Sequence, residues 1–303
     1  MRNVLPRAAI LYTLHEFLPI CAADGRMIRT RDRSLCDHAA PDRCCECFPD
    51  RTRQEFFLRE LFIKSHLRNV DAFVAPSQFL LDRYLSWGLP PDKLHLIENG
   101  RLLQNEVPVR TAGPDEGRGH IGYFGQLNPD KGLQVLLAAM QILTERGHRD
   151  IHLRIHGANL DKQSPQFQAS LQELLEQTPD NVTVLPHYAQ GDLPSLMKEV
   201  DWVVVPSTWW ENAPLSIQEA FMHRRPVICS NIGGMAEKVR DDVDGLHFKV
   251  NDAQSLADTL LRAAHTEGLW ERLRESIRPV FSVDQSVAAH VALYKSSSNG
   301  MLA

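Results

Sequence analysis

The sequence contains no long apolar run and no excess of positive charge. No stretch reaches the eighteen or so consecutive apolar residues that indicate a membrane-spanning helix. The 303 residues carry a formal net charge of −5, which argues against nucleic acid as a partner. Residues 1–17 lack the basic stretch, apolar core and small-residue cleavage site of a signal peptide. We therefore expect a cytoplasmic protein, and leave peripheral association with the inner membrane open.

Internal repeats and low-complexity segments are also absent, and apolar runs instead alternate with helix-like segments. Because crossovers of this length join parallel strands, the alternation predicts an α/β fold with parallel sheets. The predicted strands lie at 8–15, 71–77, 93–100, 120–126, 151–157, 181–187, 201–207, 226–231 and 245–250. The predicted helices lie at 54–68, 78–88, 132–147, 170–178, 193–200, 214–224, 235–241, 253–278 and 283–295.

A polar segment rich in Gly and Pro, 104–119, interrupts the alternation and predicts a linker between two domains. We expect a short, incomplete N-terminal domain at 1–110 with a cysteine-rich insert at 21–47. A parallel α/β domain at 118–280 follows, and a helix and tail at 281–303 end the chain. Ligands of open parallel sheets bind outside the carboxyl ends of the strands, so the turns after strands are the candidate sites.

The turn after the strand at 201–207 places two carboxylates around a predicted helix start. Pro214 suits the first helical position, so the amides of 213–217 would lack partners and would favour an anion such as phosphate. Glu211 and Glu219 could then accept hydrogen bonds from hydroxyls, Glu219 from a ribose diol. This pattern predicts a site for a sugar attached to a nucleoside diphosphate. An acidic turn that only complements the helix dipole is the alternative.

Two other turns could complete such a site. Lys131 precedes the helix at 132–147 and would meet a diphosphate as a point charge, although a solvated loop lysine has the same sequence. Gly233 and Gly234 would let the backbone approach a ligand or a neighbouring element closely.

Taken together, these turns resemble the retaining glycosyltransferases of the GT-B fold, in family GT4. The resemblance is carried by VAPSQFLLDRYLSWGLPPDKLHLIENG (74–100), GYFGQLNPDKG (122–132), PSTWWENAPLSIQEA (206–220) and PVICSNIGGMAEKVRDDVDGLHF (226–248). It extends over about residues 8–295. It implies two Rossmann-like domains, and transfer of a hexose from a nucleoside diphosphate sugar to a glycan or lipid-linked acceptor, as in polysaccharide biosynthesis.

The resemblance also implies a role for each matching residue. Glu219 would hold the ribose of the donor and Glu211 would contact the transferred sugar, while Lys131 would bind the diphosphate. His15 would face the acceptor, although a hydrogen-bonded histidine at a strand end is the alternative. The implied catalytic residues are His15, Lys131 and Glu211. The implied donor-binding residues are Gly125, Gln126, Lys131, Asn212, Ala213, Pro214, Leu215 and Glu219.

The chain departs from the family pattern in two places. Gln126 stands where the family usually has an arginine, which removes one cation from the diphosphate site. Several βα units that the family has before the strand at 8–15 are not found in the sequence. The alternative function is therefore a truncated or split half that binds nucleotide but does not catalyse alone, with a second protein supplying the missing half. A sugar phosphate phosphorylase on the same fold would need a lysine-bound pyridoxal cofactor, which no feature suggests.

Five of the six cysteines fall between Cys21 and Cys47. The Cys44-x-x-Cys47 spacing with Cys21 and Cys36 upstream could supply four thiolates to a structural zinc ion. Cys45 or His38 could replace one ligand, and unligated thiols are the alternative.

We expect no catalytic metal, because Lys131 and the helix amides can stabilise the departing diphosphate. Cys229 is predicted to be a buried apolar residue.

Overall fold

A computed structural model describes residues 8–111 and 117–299. The middle of the predicted linker, the end of the predicted tail and the first seven residues lie outside these ranges. The chain divides into two compact units, one comprising Met1–Leu102 with Phe281–Ala303 and the other Leu103–Val280. No helix in the described ranges is long and apolar enough to cross a membrane.

Helices and strands alternate along most of the described chain. The strands are β1 Leu11–Thr13, β2 Ala72–Ala75, β3 Leu94–Leu96, β4 His120–Gln126, β5 His152–Ala158, β6 Val182–Leu185, β7 Trp202–Val205, β8 Val227–Ser230 and β9 Gly245–Phe248. The α-helices are α1 Pro41–Cys47, α2 Arg53–Leu67, α3 Gln78–Trp87, α4 Leu133–Glu145, α5 Pro165–Glu176, α6 Leu193–Met197, α7 Leu215–Met222, α8 Gly233–Lys238, α9 Ala253–His265, α10 Leu269–Glu275 and α11 Val283–Asn299.

Helix limits follow from caps, and the caps explain where the predicted limits were wrong. Helix α5 begins at Pro165, well before the predicted 170, because the Ser164 hydroxyl accepts from the amide of Phe167. The predicted helix at 253–278 is two helices, since Gly268 adopts a left-handed conformation (φ 70°) between α9 and α10. Helix α1, which carries Cys44 and Cys47, was not predicted, because the surrounding polar segment shows no helical periodicity.

The first unit contains a three-stranded parallel sheet in the order β1-β2-β3. Its core includes Ala72 and Val74 of β2, Ile97, and Leu293 of α11. Helix α11 therefore packs on the sheet of the first unit, although it follows the second unit in the sequence.

The second unit contains a six-stranded parallel sheet in the order β6-β5-β4-β7-β8-β9. Two apolar clusters fill its core. One includes Leu136 and Met140 of α4 with Leu256 of α9, and the other includes Ile217 of α7 with Met235 of α8. The predicted α/β fold with parallel sheets is confirmed. The strand order reverses between β4 and β7, and ligands of open α/β sheets bind at such a switch point.

Candidate nucleotide-sugar site

A cavity of about 460 Å³ opens where β4 and β7 end, at the switch point of the second sheet. This volume lies within the range of small-molecule sites, roughly 300–1,000 Å³. Among the described residues that line it, Lys131 is the only cation, and Glu211 and Glu219 are the acids. The predicted site residues that line the cavity are Gly125, Gln126, Lys131, Glu211, Ala213, Pro214, Leu215 and Glu219.

Glu211 is held in the cavity wall by three donors on one of its oxygens. Its Oε1 accepts from Lys131 Nζ at 2.6 Å, from Ser207 Oγ at 2.7 Å and from Trp209 Nε1 at 2.8 Å. The residue is only 7% exposed, and the Lys131 ammonium and two neutral donors replace the water that this oxygen would otherwise contact. Among the described residues all three donors bind Oε1 and none binds Oε2, so Oε2 can accept from a ligand hydroxyl.

Lys131 is positioned by the turn that follows β4. The Asn128 side-chain oxygen accepts from the amides of Asp130 and Lys131, at 3.0 and 3.1 Å, and fixes a short 3₁₀ turn. Gly132 then adopts a left-handed conformation (φ 73°), and a Cβ there would come within 1.9 Å of the Pro206 carbonyl oxygen. The turns after β4 and β7 are thus in direct backbone contact, which brings Lys131 to Glu211.

Gly234 supports the Glu211 turn from behind. Its amide donates to the Glu211 carbonyl at 2.7 Å, and a Cβ on Gly234 would lie 1.8 Å from the Asn212 carbonyl oxygen. The glycine pair at 233–234 therefore permits the close approach of a neighbouring element, one of the two predicted reasons for it. Asn212 lies on this supported turn and does not line the cavity.

The start of α7 forms another wall of the cavity. Pro214 was predicted as the first helical residue, but it is the N-cap residue, because α7 begins one position later at Leu215, and no side chain caps this helix. Proline has no side-chain acceptor, so the first amides of α7 have no side-chain cap, although the Ile217 amide donates to the Pro214 carbonyl at 3.2 Å. Glu219, in the second turn of α7, also lines the cavity.

Two tyrosines of the cavity were not predicted as site residues. The Tyr123 hydroxyl donates to the Gln126 carbonyl at 2.7 Å and holds the turn after β4. Burial, together with the nearby Glu219 carboxylate, raises the pKa of Tyr188 to about 12. Tyr188 follows β6, so the rule that directed attention to the turns after β4, β7 and β8 could also have identified it.

The other predicted residues lie in the first unit. His15 is exposed and follows β1, at the carboxyl end of that strand.

A separate small cavity is lined by Cys21, Cys36, Cys44 and Cys47, and Cys45 does not line it. No three of their sulfurs lie within 4.8 Å of one another. In the described ranges only His148, Asp150 and His265 meet that spacing. The zinc ligands and the role of His15 stay predictions.

Comparison with known proteins gives a family match to more than half of the chain. The model of the family glycosyl transferases group 1 matches residues 109–279. A D-inositol 3-phosphate glycosyltransferase of Salinispora arenicola is 28% identical over 237 residues, which cover 71% of this chain and 51% of that protein. An alpha-D-kanosaminyltransferase of Streptomyces kanamyceticus is 26% identical over 66% of this chain and 53% of that protein. The chain spans about half the length of these curated relatives.

Two solved structures share the fold over nearly the whole chain. HepE of Anabaena, in complex with UDP, aligns with a TM-score of 0.65 and 18% identity over 99% of this chain and 73% of that one. Sucrose-phosphate synthase of Thermosynechococcus elongatus aligns with a TM-score of 0.65 and 22% identity over 94% of this chain and 67% of that one. The fold is therefore GT-B, with two Rossmann-like units.

Proposed function

Since this chain belongs to the family of glycosyl transferases group 1, we propose that its second unit binds a nucleoside diphosphate sugar as donor. The chain then transfers a hexose, with retention of configuration, to a glycan or lipid-linked acceptor, as the GT4 resemblance implies. The observation that carries the proposal is the cavity at the switch point, where one cation and two carboxylates converge. UDP is the first nucleotide to test, because HepE of Anabaena binds it.

The charged groups of the cavity and the first amides of α7 each match one part of such a donor. The first amides of α7 and Lys131 Nζ suit the diphosphate, since both favour negative charge. Glu219 suits the ribose diol. The Oε2 atom of Glu211 suits a hydroxyl of the sugar, with Oε1 already fixed by three donors.

Transfer then depends on stabilising the diphosphate as it leaves. Lys131 can stabilise the negative charge that develops on the departing diphosphate. Its ion pair with Glu211 holds the ammonium group at the edge of the cavity rather than in solvent. The fixed carboxylate of Glu211 orients the sugar. We expect this chemistry to proceed without an added divalent metal.

The experiment is a calorimetric titration of the full chain with UDP, GDP and ADP. One nucleotide should bind, and Glu219→Ala should weaken it about 10- to 100-fold, the loss of a hydrogen bond to a charged group. Glu173→Ala is the matched control, because Glu173 is an exposed glutamate of α5 that does not line the cavity. Equal loss in both variants, or binding of none of the three nucleotides by the folded chain, would overturn the donor site.

A second titration separates the diphosphate contact from the ribose contact. Lys131→Ala should weaken the binding of UDP more than that of UMP, whereas Glu219→Ala should weaken both equally. Donor hydrolysis or transfer, followed by NMR of the anomeric proton, then tests for retention. Nucleotide binding without either reaction would support the alternative, a binding half that requires a second protein.

A further inference from the structure

The four cysteines Cys21, Cys36, Cys44 and Cys47 face one cavity of about 20 Å³ in the first unit. A space of this size holds about one water molecule or one ion, and is too small for an organic cofactor. The fifth cysteine of the segment, Cys45, does not line it although it stands between two that do. The cavity is in the first unit and serves no part of the proposed donor site.

The backbone around the cavity is held by bonds that do not involve the thiols. The Cys36 amide donates to the Met27 carbonyl at 2.8 Å, and the Thr30 hydroxyl donates to the Cys47 carbonyl at 2.6 Å. Cys44 and Cys47 lie one turn apart on α1, so their side chains share a face. Three separate stretches of chain thus converge with their cysteines towards one point.

From this convergence we propose that Cys21, Cys36, Cys44 and Cys47 bind one structural Zn²⁺ ion. Zinc prefers a tetrahedral set of four thiolates in structural sites, with Zn–S bonds of about 2.3 Å. Four thiolates leave no open position, so this ion supports the fold of the segment and takes no part in transfer.

The thiols must rotate and lose their protons for the ion to bind. Cys36 Sγ donates to the His38 carbonyl at 3.1 Å, a bond that only the protonated thiol can make. Burial, with the neighbouring thiols as a further cause, raises the pKa of Cys44 to about 11. A divalent cation reverses this effect, because it stabilises the thiolates that the site otherwise disfavours. Since the backbone already converges, side-chain rotation can bring the sulfurs together.

A second group in the chain can also attract transition metals, and the test has to separate the two. His148, Asp150 and His265 of the second unit have ligand atoms within 4.8 Å of one another, and Asp150 and His265 are exposed. Imidazole and carboxylate ligands give a different cobalt spectrum from thiolates. Cobalt in place of zinc therefore reports which site is filled.

The experiment uses the full chain, purified under reducing conditions and desalted against a weak chelator. We expect about one zinc per chain, and intense near-ultraviolet sulfur-to-cobalt absorption after exchange with Co²⁺. Cys44→Ser should lose most of the zinc and this absorption. The matched control Cys45→Ser, and His265→Ala in the competing group, should keep both. Absence of zinc from the reconstituted wild type would overturn the proposal, as would loss of the absorption in His265→Ala alone.

A measurement on the wild type guards against a Cys44→Ser variant that fails to fold. Alkylation with and without Zn²⁺, followed by mass spectrometry of peptides, should show protection of Cys21, Cys36, Cys44 and Cys47 but not of Cys45. Uniform labelling of all five, or a disulfide between any of the four in the freshly purified chain, would contradict the proposed site.

Discussion

The two units differ in how completely they bury their apolar side chains. Among the described residues, twelve of the sixteen large apolar side chains with high exposure belong to the first unit, although it is the shorter one. Four of them form a stripe on α2, namely Phe57, Leu58, Leu61 and Phe62. The second unit packs helices against both faces of a six-stranded sheet. The faces of a parallel sheet are stable when other apolar elements pack on both of them. The second unit supplies this packing from its own helices, whereas the first unit leaves more of its large apolar side chains exposed.

The largest expected effect tests how tightly the backbone of the second unit packs around Gly234. Gly234→Ala should destabilise the chain by at least about 3 kcal/mol, since the new Cβ would meet a backbone carbonyl that cannot move without displacing Glu211. Gly191→Ala is the control, because nothing lies within 4 Å of a Cβ there. It should change stability by less than about 1 kcal/mol. Urea unfolding followed by tryptophan fluorescence measures both, and similar losses would mean that the close approach is not rigid.

The next effect concerns two neighbouring phenylalanines of α2 in the first unit that differ in exposure. Phe56 is 6% exposed and its ring lies 5.8 Å from that of Phe48, whereas Phe57 is 57% exposed. Phe56→Ala should therefore cost about 3 kcal/mol, and Phe57→Ala less than about 1 kcal/mol. Thermal unfolding compares the neighbours directly. A large loss for Phe57→Ala would indicate that the α2 stripe is covered in solution.

The smallest effect concerns a buried histidine of the second unit and depends on pH. His156 stacks on Phe124 at 4.8 Å, and burial lowers its pKa to about 4 from 6.5. Between these values the unfolded chain binds the proton and the folded chain does not, so stability falls as the pH drops below 6.5. The loss is about 2 kcal/mol at pH 5.

His156→Phe should remove this contribution and flatten the decline between pH 6.5 and 4, measured as urea midpoints at several pH values. His187→Phe, at an exposed histidine of the turn after β6, accounts for the general effect of replacing an imidazole. If the wild type and His156→Phe decline in parallel, His156 is not the group responsible.

The sequence predicted most of the second unit because each of its elements is specified locally. Apolar runs of the right length became β4, β5, β7, β8 and β9, and the turns after β4 and β7 contain Lys131 and Glu211 of the cavity. Predictions were weaker where a limit depends on a single cap, as at Ser164 and Gly268, or where a helix has no apolar periodicity, as in α1. Tyr188 was missed although it follows β6, because a single tyrosine without adjacent charged residues or glycines gives a weaker signal than the turns after β4 and β7.

The fold class, the parallel strands and the residue types that the cavity needs can be predicted from the sequence, since they follow from apolar spacing and from turn chemistry. Which of those residues contact one another depends on the tertiary structure. It joined Lys131 to Glu211 across 80 residues of sequence, because Gly132 and Gly234 allow three backbone segments to touch. It also separated Cys45 from the four cysteines that share a cavity. Such pairings depend on contacts between distant segments, which local sequence patterns do not encode.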